Sequence, residues 1–249
     1  MLRETTVFGP IFSRRLGSSL GINLLPQEGK VCNFDCVYCE CGWNKDGLAD
    51  RRLPTAEDVR VALENKLSAC ASAGTPIDSI TFSGDGEPTL NPEFPEIIDI
   101  TLALRDRFYP AARVSVLSNA TRAGLEPVFQ ALRKVDNAIL KLDAPTDGEV
   151  ALVNRPTGAY HVADVVKSLL RFQGAFVLQT MFLRGPGWAT EDWVGEWMQI
   201  VREVKPREIM VYTIDRETPM KELGKYTVEE MRALVQPLID EGYIIQIKG

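Results

Sequence analysis

Short, nearly unbroken apolar runs alternate along the chain with stretches in which apolar residues recur every third or fourth position. The first pattern is that of strands buried on both faces, the second that of helices with one covered stripe. Residues 19–25, 79–83, 113–118, 138–142, 176–183 and 208–212 read as strands. Helices are predicted near 55–74, 95–108, 125–133, 160–172, 191–204 and 228–240. That gives six strand–helix units, with residues 243–247 as a seventh strand. Thr55 precedes Asp58 by three residues, a capping box, and Val59, Leu63, Leu67 and Cys70 follow on one face until Gly74. Cys70 is therefore predicted to be buried. Pro237, inside the last helical pattern, should kink or shorten that helix.

Continuous apolar strands between amphipathic helices predict a parallel sheet covered by helices. Six units fall short of the eight that close a full barrel, so the α/β candidates are an open (β/α)6 partial TIM barrel and a doubly wound sheet. The polar clusters favour the partial barrel, because they recur at strand ends: 32–41, 84–88, 118–121, 141–143 and 212–216. In barrel enzymes that edge carries the active site. One domain over residues 1–249 is expected, with its cysteine loop at about 31–47.

Composition narrows the chemistry. Among 249 residues, 28 Lys and Arg face 34 Asp and Glu, a formal charge of −6. This balance argues against a nucleic-acid module that works by phosphate neutralisation alone, although an RNA held by shape is compatible with it. The first fifteen residues hold no apolar h-region, and nowhere do 18 apolar residues run together. A cytoplasmic protein with no membrane partner is expected. His161 is the single histidine of the chain, which excludes a multi-His metal centre and leaves sulfur or carboxylate as metal ligands.

Cys32, Cys36, Cys39 and Cys41 fall within ten residues, and Cys70 stands alone. An odd count argues against a disulfide framework. Cys32, Cys36 and Cys39 have C-x3-C-x2-C spacing, and three such thiolates can hold a cubane iron–sulfur cluster while leaving its fourth iron open. Cys41 follows Cys39 after one residue, which leaves little chain to reach another corner. Two other readings compete. Zinc usually draws ligands from two separated knuckles, and no second C-x2-C is present. A thioredoxin-like pair at Cys36 and Cys39 has no need of Cys32. Tyr38 is either core or a ring that packs on a planar ligand.

The motif Cys32-x3-Cys36-x-Tyr38-Cys39 resembles the CxxxCxΦC signature of the radical SAM superfamily, and Gly84-Asp85-Gly86-Glu87-Pro88 resembles its GGEP motif. With Phe8-Gly9-Pro10 and the stretch from Thr81 to Leu90, the chain is most similar to the small wyosine-synthase-like members. The resemblance implies a [4Fe–4S] cluster on Cys32, Cys36 and Cys39, with S-adenosylmethionine chelating the open iron. It implies that Gly86 and Glu87 meet the methionine amino group and that Ser118 and Asn119 meet the ribose hydroxyls. Lys141 and Asp143 are implied at the ribose or the methionine carboxylate, and Tyr38 at the adenine. Asp85 stands where the motif usually has its first Gly. A reductant such as flavodoxin or ferredoxin is an implied partner.

No cysteine precedes Cys32 and none follows Cys70, so a single cluster is expected and the wyosine reaction is not transferred. The first functional reading is reductive cleavage of S-adenosylmethionine to a 5′-deoxyadenosyl radical that abstracts hydrogen from a protein or RNA substrate. A glycyl-radical-enzyme activase is a variant of it. A non-catalytic iron–sulfur electron-transfer protein and a zinc-stabilised binding module are alternatives of other classes.

Overall fold

The computed structural model describes residues 5–13, 17–26, 29–44 and 52–249, which gather into two compact units. The first unit runs through the described residues up to Cys32, Asn44–Ser118 and Leu125–Ala138. The second comprises Asn33–Trp43, Asn119–Gly124 and Ile139–Gly249. Residues 45–47 of the expected cysteine loop lie outside the described residues.

In the first unit β1 (Val7–Ser13) and β2 (Gly17–Ile22) pair antiparallel, and β2 continues in parallel into β3 (Ser79–Phe82) and β4 (Arg113–Ser118). The period of two divides the faces of these strands. Leu20, Ile22, Ile80, Phe82, Val114 and Val116 are sealed from solvent on one face. On the other, Ser19, Ser79, Thr81 and Ser115 form a buried hydroxyl ladder: Ser19 Oγ meets Thr81 Oγ1 at 2.8 Å, and Asn137 Nδ2 donates to Ser115 Oγ at 3.0 Å. Every hydroxyl in it is paired, which is what makes its burial tolerable.

Helices α1 (Ala56–Ser72), α2 (Phe94–Phe108) and α3 (Glu126–Lys134) belong to the same unit. The Thr55–Asp58 capping box opens α1, and Val59, Leu63, Leu67 and Cys70 are buried as the spacing predicts. Strand β1 was not predicted, because Gly9-Pro10 reads as a turn. It is an edge strand with a register shift between Phe8 and Ile11, a setting in which proline is tolerated. Gly21 makes room for it: a Cβ there would lie 2.1 Å from the Phe8 ring.

Strand β5 (Asn137–Lys141) enters the second unit at Ile139. There it is followed by β6 (Val177–Met181), β7 (Leu183–Gly185), β8 (Trp188–Ala189), β9 (Glu208–Tyr212), β10 (Gly224–Lys225) and β11 (Ile245–Lys248). Strands β5, β6, β9 and β11 pair in parallel in that order, while β7, β8 and β10 form a small antiparallel sheet. Helices α4 (Asp147–Val153), α5 (Val162–Leu170), α6 (Val194–Val204) and α7 (Val228–Asp240) complete the unit. Phe182 packs edge-on against Trp197 and Tyr226 in its core.

Three expectations change here. Residues 184–189, left without an element between the strand at 176–183 and the helix near 191–204, belong to the β7–β8 hairpin. Helix α4 was not predicted, because its single apolar turn is too short to display a period. Helix α7 runs to Asp240 through Pro237, whose missing N–H costs one bond near the helix end rather than the end itself. Among the described residues no helix is long and apolar enough to cross a membrane.

Candidate functional site

In the first unit the loop after β3 is tied to the loop after β2. Asn23 Nδ2 donates to Asp85 Oδ2 at 3.1 Å, and Asn23 Oδ1 accepts from the amides of Asp85 and Leu25, each at 3.2 Å. The amide of Val31 donates to Asp85 O at 3.0 Å, and Val31 O accepts from the amide of Glu87 at 3.1 Å. These two bonds clamp Gly86, whose φ is +142° and whose Cβ, if present, would lie 1.9 Å from Val31 O. Only glycine fits this path. Asp85 therefore serves here as a buried anchor for the turn. Glu87 is buried, and its Oε1 accepts from Thr89 N (3.0 Å), Thr89 Oγ1 (2.6 Å) and Ser118 Oγ (2.9 Å). Ser118, at the end of β4, thus orients the carboxylate. Cys32 is half-buried, and its carbonyl accepts from Asn44 Nδ2 at 3.1 Å.

In the second unit residues 33–43 are zipped to the C-terminus of α4. The Asp35 amide donates to Asn154 O at 2.9 Å and the Val37 amide to Val153 O at 3.0 Å, and Phe34 bridges Pro156. Within the loop the amide of Cys39 donates to Cys36 O at 3.1 Å and that of Gly42 to Cys39 O at 3.0 Å. Cys36, Cys39 and Cys41 are half-buried on these turns, and none of the three is in a disulfide. Asn119 Nδ2 donates to Asn33 Oδ1 at 2.7 Å, and Asn33 Nδ2 to Thr121 Oγ1 at 2.7 Å.

Asp143, just past β5, is the hub of this unit. Its side chain is fully buried and accepts from the hydroxyl of Tyr38, from Asn154 Nδ2 at 2.6 Å and from the Met181 amide at 2.9 Å. Lys141 Nζ stands 3.5 Å from Asp143 Oδ1, donates to Tyr212 Oη at 2.5 Å, and lies over the rings of Tyr38 (5.2 Å) and Tyr212 (5.0 Å). Burial opposes the Lys141 charge, but Asp143 and Tyr212 outweigh it and hold the ammonium above its usual range. Burial and the Asp143 charge raise the Tyr38 phenol well above its ordinary value, and the same two causes push the Cys36 thiol up to about 11.

Of the residues singled out in the sequence, Gly86, Glu87, Ser118 and Cys32 belong to the first unit, and Cys36, Tyr38, Cys39, Asn119, Lys141 and Asp143 to the second. Glu87 and Ser118 meet, as do Tyr38, Lys141 and Asp143. Among the described residues no group of three or more His, Cys, Asp or Glu stands together as a metal site. Asn154 was missed, and Tyr212, though inside the 212–216 cluster, was given no role, since strand periodicity says nothing about which strand-end side chains converge. Arg155 stacks on Trp43 at 5.1 Å, Arg216 pairs with Glu40 at 2.6 Å, and Trp188 stacks on Trp193 at 5.6 Å.

The donor set suits an iron–sulfur cluster. Half-buried cysteine sulfurs at C-x3-C-x2-C spacing are the soft donors that such clusters take. In the first unit the buried Glu87 carboxylate suits an ammonium group, and in the second the Lys141 ammonium suits a carboxylate.

The family model of the radical SAM superfamily matches residues 29–194. The chain is 29% identical over 219 residues to a UPF0026 protein of Helicobacter pylori, covering 86% of this chain and 68% of that one. Streptococcus suis SuiB bound to its precursor peptide SuiA is similar in fold, with a TM-score of 0.65 at 15% identity, over 89% of this chain and 47% of SuiB. TYW1 with a lysine-pyruvate adduct bound gives a TM-score of 0.64 at 15% identity, over 92% of this chain and 76% of that one. The chain thus spans about half the length of SuiB. At these identities the likeness is one of fold: a mostly parallel sheet flanked by helices, the partial TIM barrel class that the strand–helix alternation predicts.

Proposed function

Because the chain belongs to the radical SAM superfamily and is an enzyme of that class, we propose that Cys32, Cys36 and Cys39 hold one [4Fe–4S] cluster with an open iron that S-adenosylmethionine chelates. The observation that carries this reading is the span of the family match, residues 29–194, which takes in the cysteine triplet, Gly86-Glu87, Ser118-Asn119 and Lys141–Asp143. When bound, the cluster and S-adenosylmethionine supply a 5′-deoxyadenosyl radical through one-electron cleavage of the sulfonium C–S bond, and this radical takes a hydrogen atom from the substrate. The electron comes from a reductant of the flavodoxin or ferredoxin class.

The chain's own residues bind and orient. The Gly86 backbone and the Glu87 carboxylate take the methionine amino group, with Thr89 and Ser118 fixing the carboxylate oxygen. Lys141, kept charged and oriented by the buried Asp143, takes the methionine carboxylate or the ribose. Ser118 and Asn119 meet the ribose hydroxyls. Tyr38, its hydroxyl tied to Asp143, presents a fixed ring to the adenine. The chain acts as one radical SAM domain, and its substrate is macromolecular, a protein segment or an RNA. The structure of SuiB with a peptide supports that class.

Anaerobic reconstitution tests the reading. About four irons per chain are expected, lost in Cys36→Ala and kept in Cys41→Ala, with dithionite-driven release of 5′-deoxyadenosine from S-adenosylmethionine. Stoichiometric zinc without iron, or equal loss in both variants, overturns the open-iron assignment. An iron–sulfur spectrum insensitive to S-adenosylmethionine favours the electron-transfer alternative instead.

A further inference from the structure

Asn154 belongs to none of the motifs above, yet it is the polar side chain that links Cys36 to the Asp143 hub. It is 1% exposed, at the C-cap of α4, and its backbone is fixed on both sides: its amide donates to Val150 O at 2.7 Å and its carbonyl accepts from Asp35 N at 2.9 Å. The side-chain nitrogen lies 2.6 Å from Asp143 Oδ2, 3.3 Å from Cys36 Sγ and 3.2 Å from Tyr38 Oη. An amide nitrogen has two hydrogens. The 2.6 Å bond takes one, and the other is left to the sulfur and the phenol oxygen. Tyr38 gives its own proton to Asp143, so its oxygen acts toward Asn154 as an acceptor.

The Asp143 carboxylate would repel a thiolate on Cys36, and the Asn154 N–H stands between the two. We infer that Asn154 is a positioning residue for the cluster: its amide donates to the Cys36 thiolate, holds that sulfur against the repulsion of Asp143, and raises the reduction potential of the cluster bound there. The inference rests on the proposed cluster. A donor to a ligand sulfur stabilises the reduced, more negative cluster more than the oxidised one, and hydrogen bonds to sulfur are among the determinants of cluster potential. A buried carboxylate acts in the opposite sense.

Two variants test it by redox titration of the reconstituted protein, read by electron paramagnetic resonance. Asn154→Leu keeps the approximate volume and removes the donor, and the equilibrium constant for one-electron reduction should fall about threefold. Asn154→Asp keeps the shape, but its carboxyl would stand 2.6 Å from Asp143 and share one proton with it, so it too takes the donor from the sulfur. The fall there should also be about threefold, roughly a 28 mV shift to more negative potential. If Asn154→Leu does not fold, Asn154→Asp alone decides. Folded variants that keep their iron and titrate with the wild type overturn the inference. Iron lost equally from both folded variants also overturns it, making Asn154 a support of the loop. A wild type that takes up zinc and no iron refutes the cluster reading, an outcome visible before any variant is made.

Discussion

A single backbone oxygen decides what residue 86 can be. Val31 O stands 1.9 Å from where a Cβ would be, and the φ of +142° is strained for any other residue. Gly86→Ala must break the Val31 clamp on both sides of the turn, so a loss of about 3 kcal/mol is expected from overpacking and backbone strain together. Gly187 is the control, because its φ is +77° but nothing lies within 4 Å of its missing Cβ. Gly187→Ala should lose only about 1 kcal/mol. Urea unfolding of both variants checks the pair, and equal losses would refute the clamp. The glycine itself was legible in the Gly84–Pro88 motif. Its physical reason was not, because Asn23, which anchors Asp85, lies 62 residues away and no periodicity links them.

At the scale of elements, periodicity located every helix long enough to show it and failed on the short ones. Helix α1 was legible through both its capping box and its apolar stripe. Helix α4 has a capping box of the same kind, Thr146 with Glu149, but only Val150 and Val153 to bury. The small antiparallel sheet is equally short, and Gly185-Pro-Gly187 reads as loop wherever it occurs. Yet α4 is the element to which the cysteine loop is tied, through Asp35 and Val37. Thr146→Ala removes the acceptor for the Glu149 amide and should cost about 1 kcal/mol. Because that cost falls on α4, the Asp35 and Val37 amides should exchange with deuterium faster, ahead of amides in β6 and β9. Unchanged exchange at those two amides would mean that the loop holds its conformation without the helix. The same reasoning explains why Asn154 escaped the sequence: its importance comes from ending α4, and α4 was not predicted.

Charge is a property of the whole molecule, and it bears on what the substrate can be. With 28 basic against 34 acidic residues, the chain has no surplus of cations with which to release counterions from a phosphate backbone. Several of its arginines are also engaged with their own acids: Arg60 with Glu57 and Glu64, Arg184 with Glu191 and Glu230, Arg202 with Glu241. Random RNA should therefore bind more weakly than the range of roughly 1–100 µM typical of non-specific binders at physiological salt. Filter binding against unstructured RNA from 0.05 to 0.2 M salt, about the range over which phosphate contacts weaken binding, checks this. Micromolar affinity falling steeply over that range would reveal a cationic stripe strong enough to override the net charge. Under the proposed function, weak binding leaves two ways to stimulate 5′-deoxyadenosine release: a protein segment recognised by its side chains, or a folded RNA recognised by shape. The two separate cleanly, because heat-denaturing the RNA abolishes stimulation in the second case, whereas nuclease treatment leaves it intact in the first.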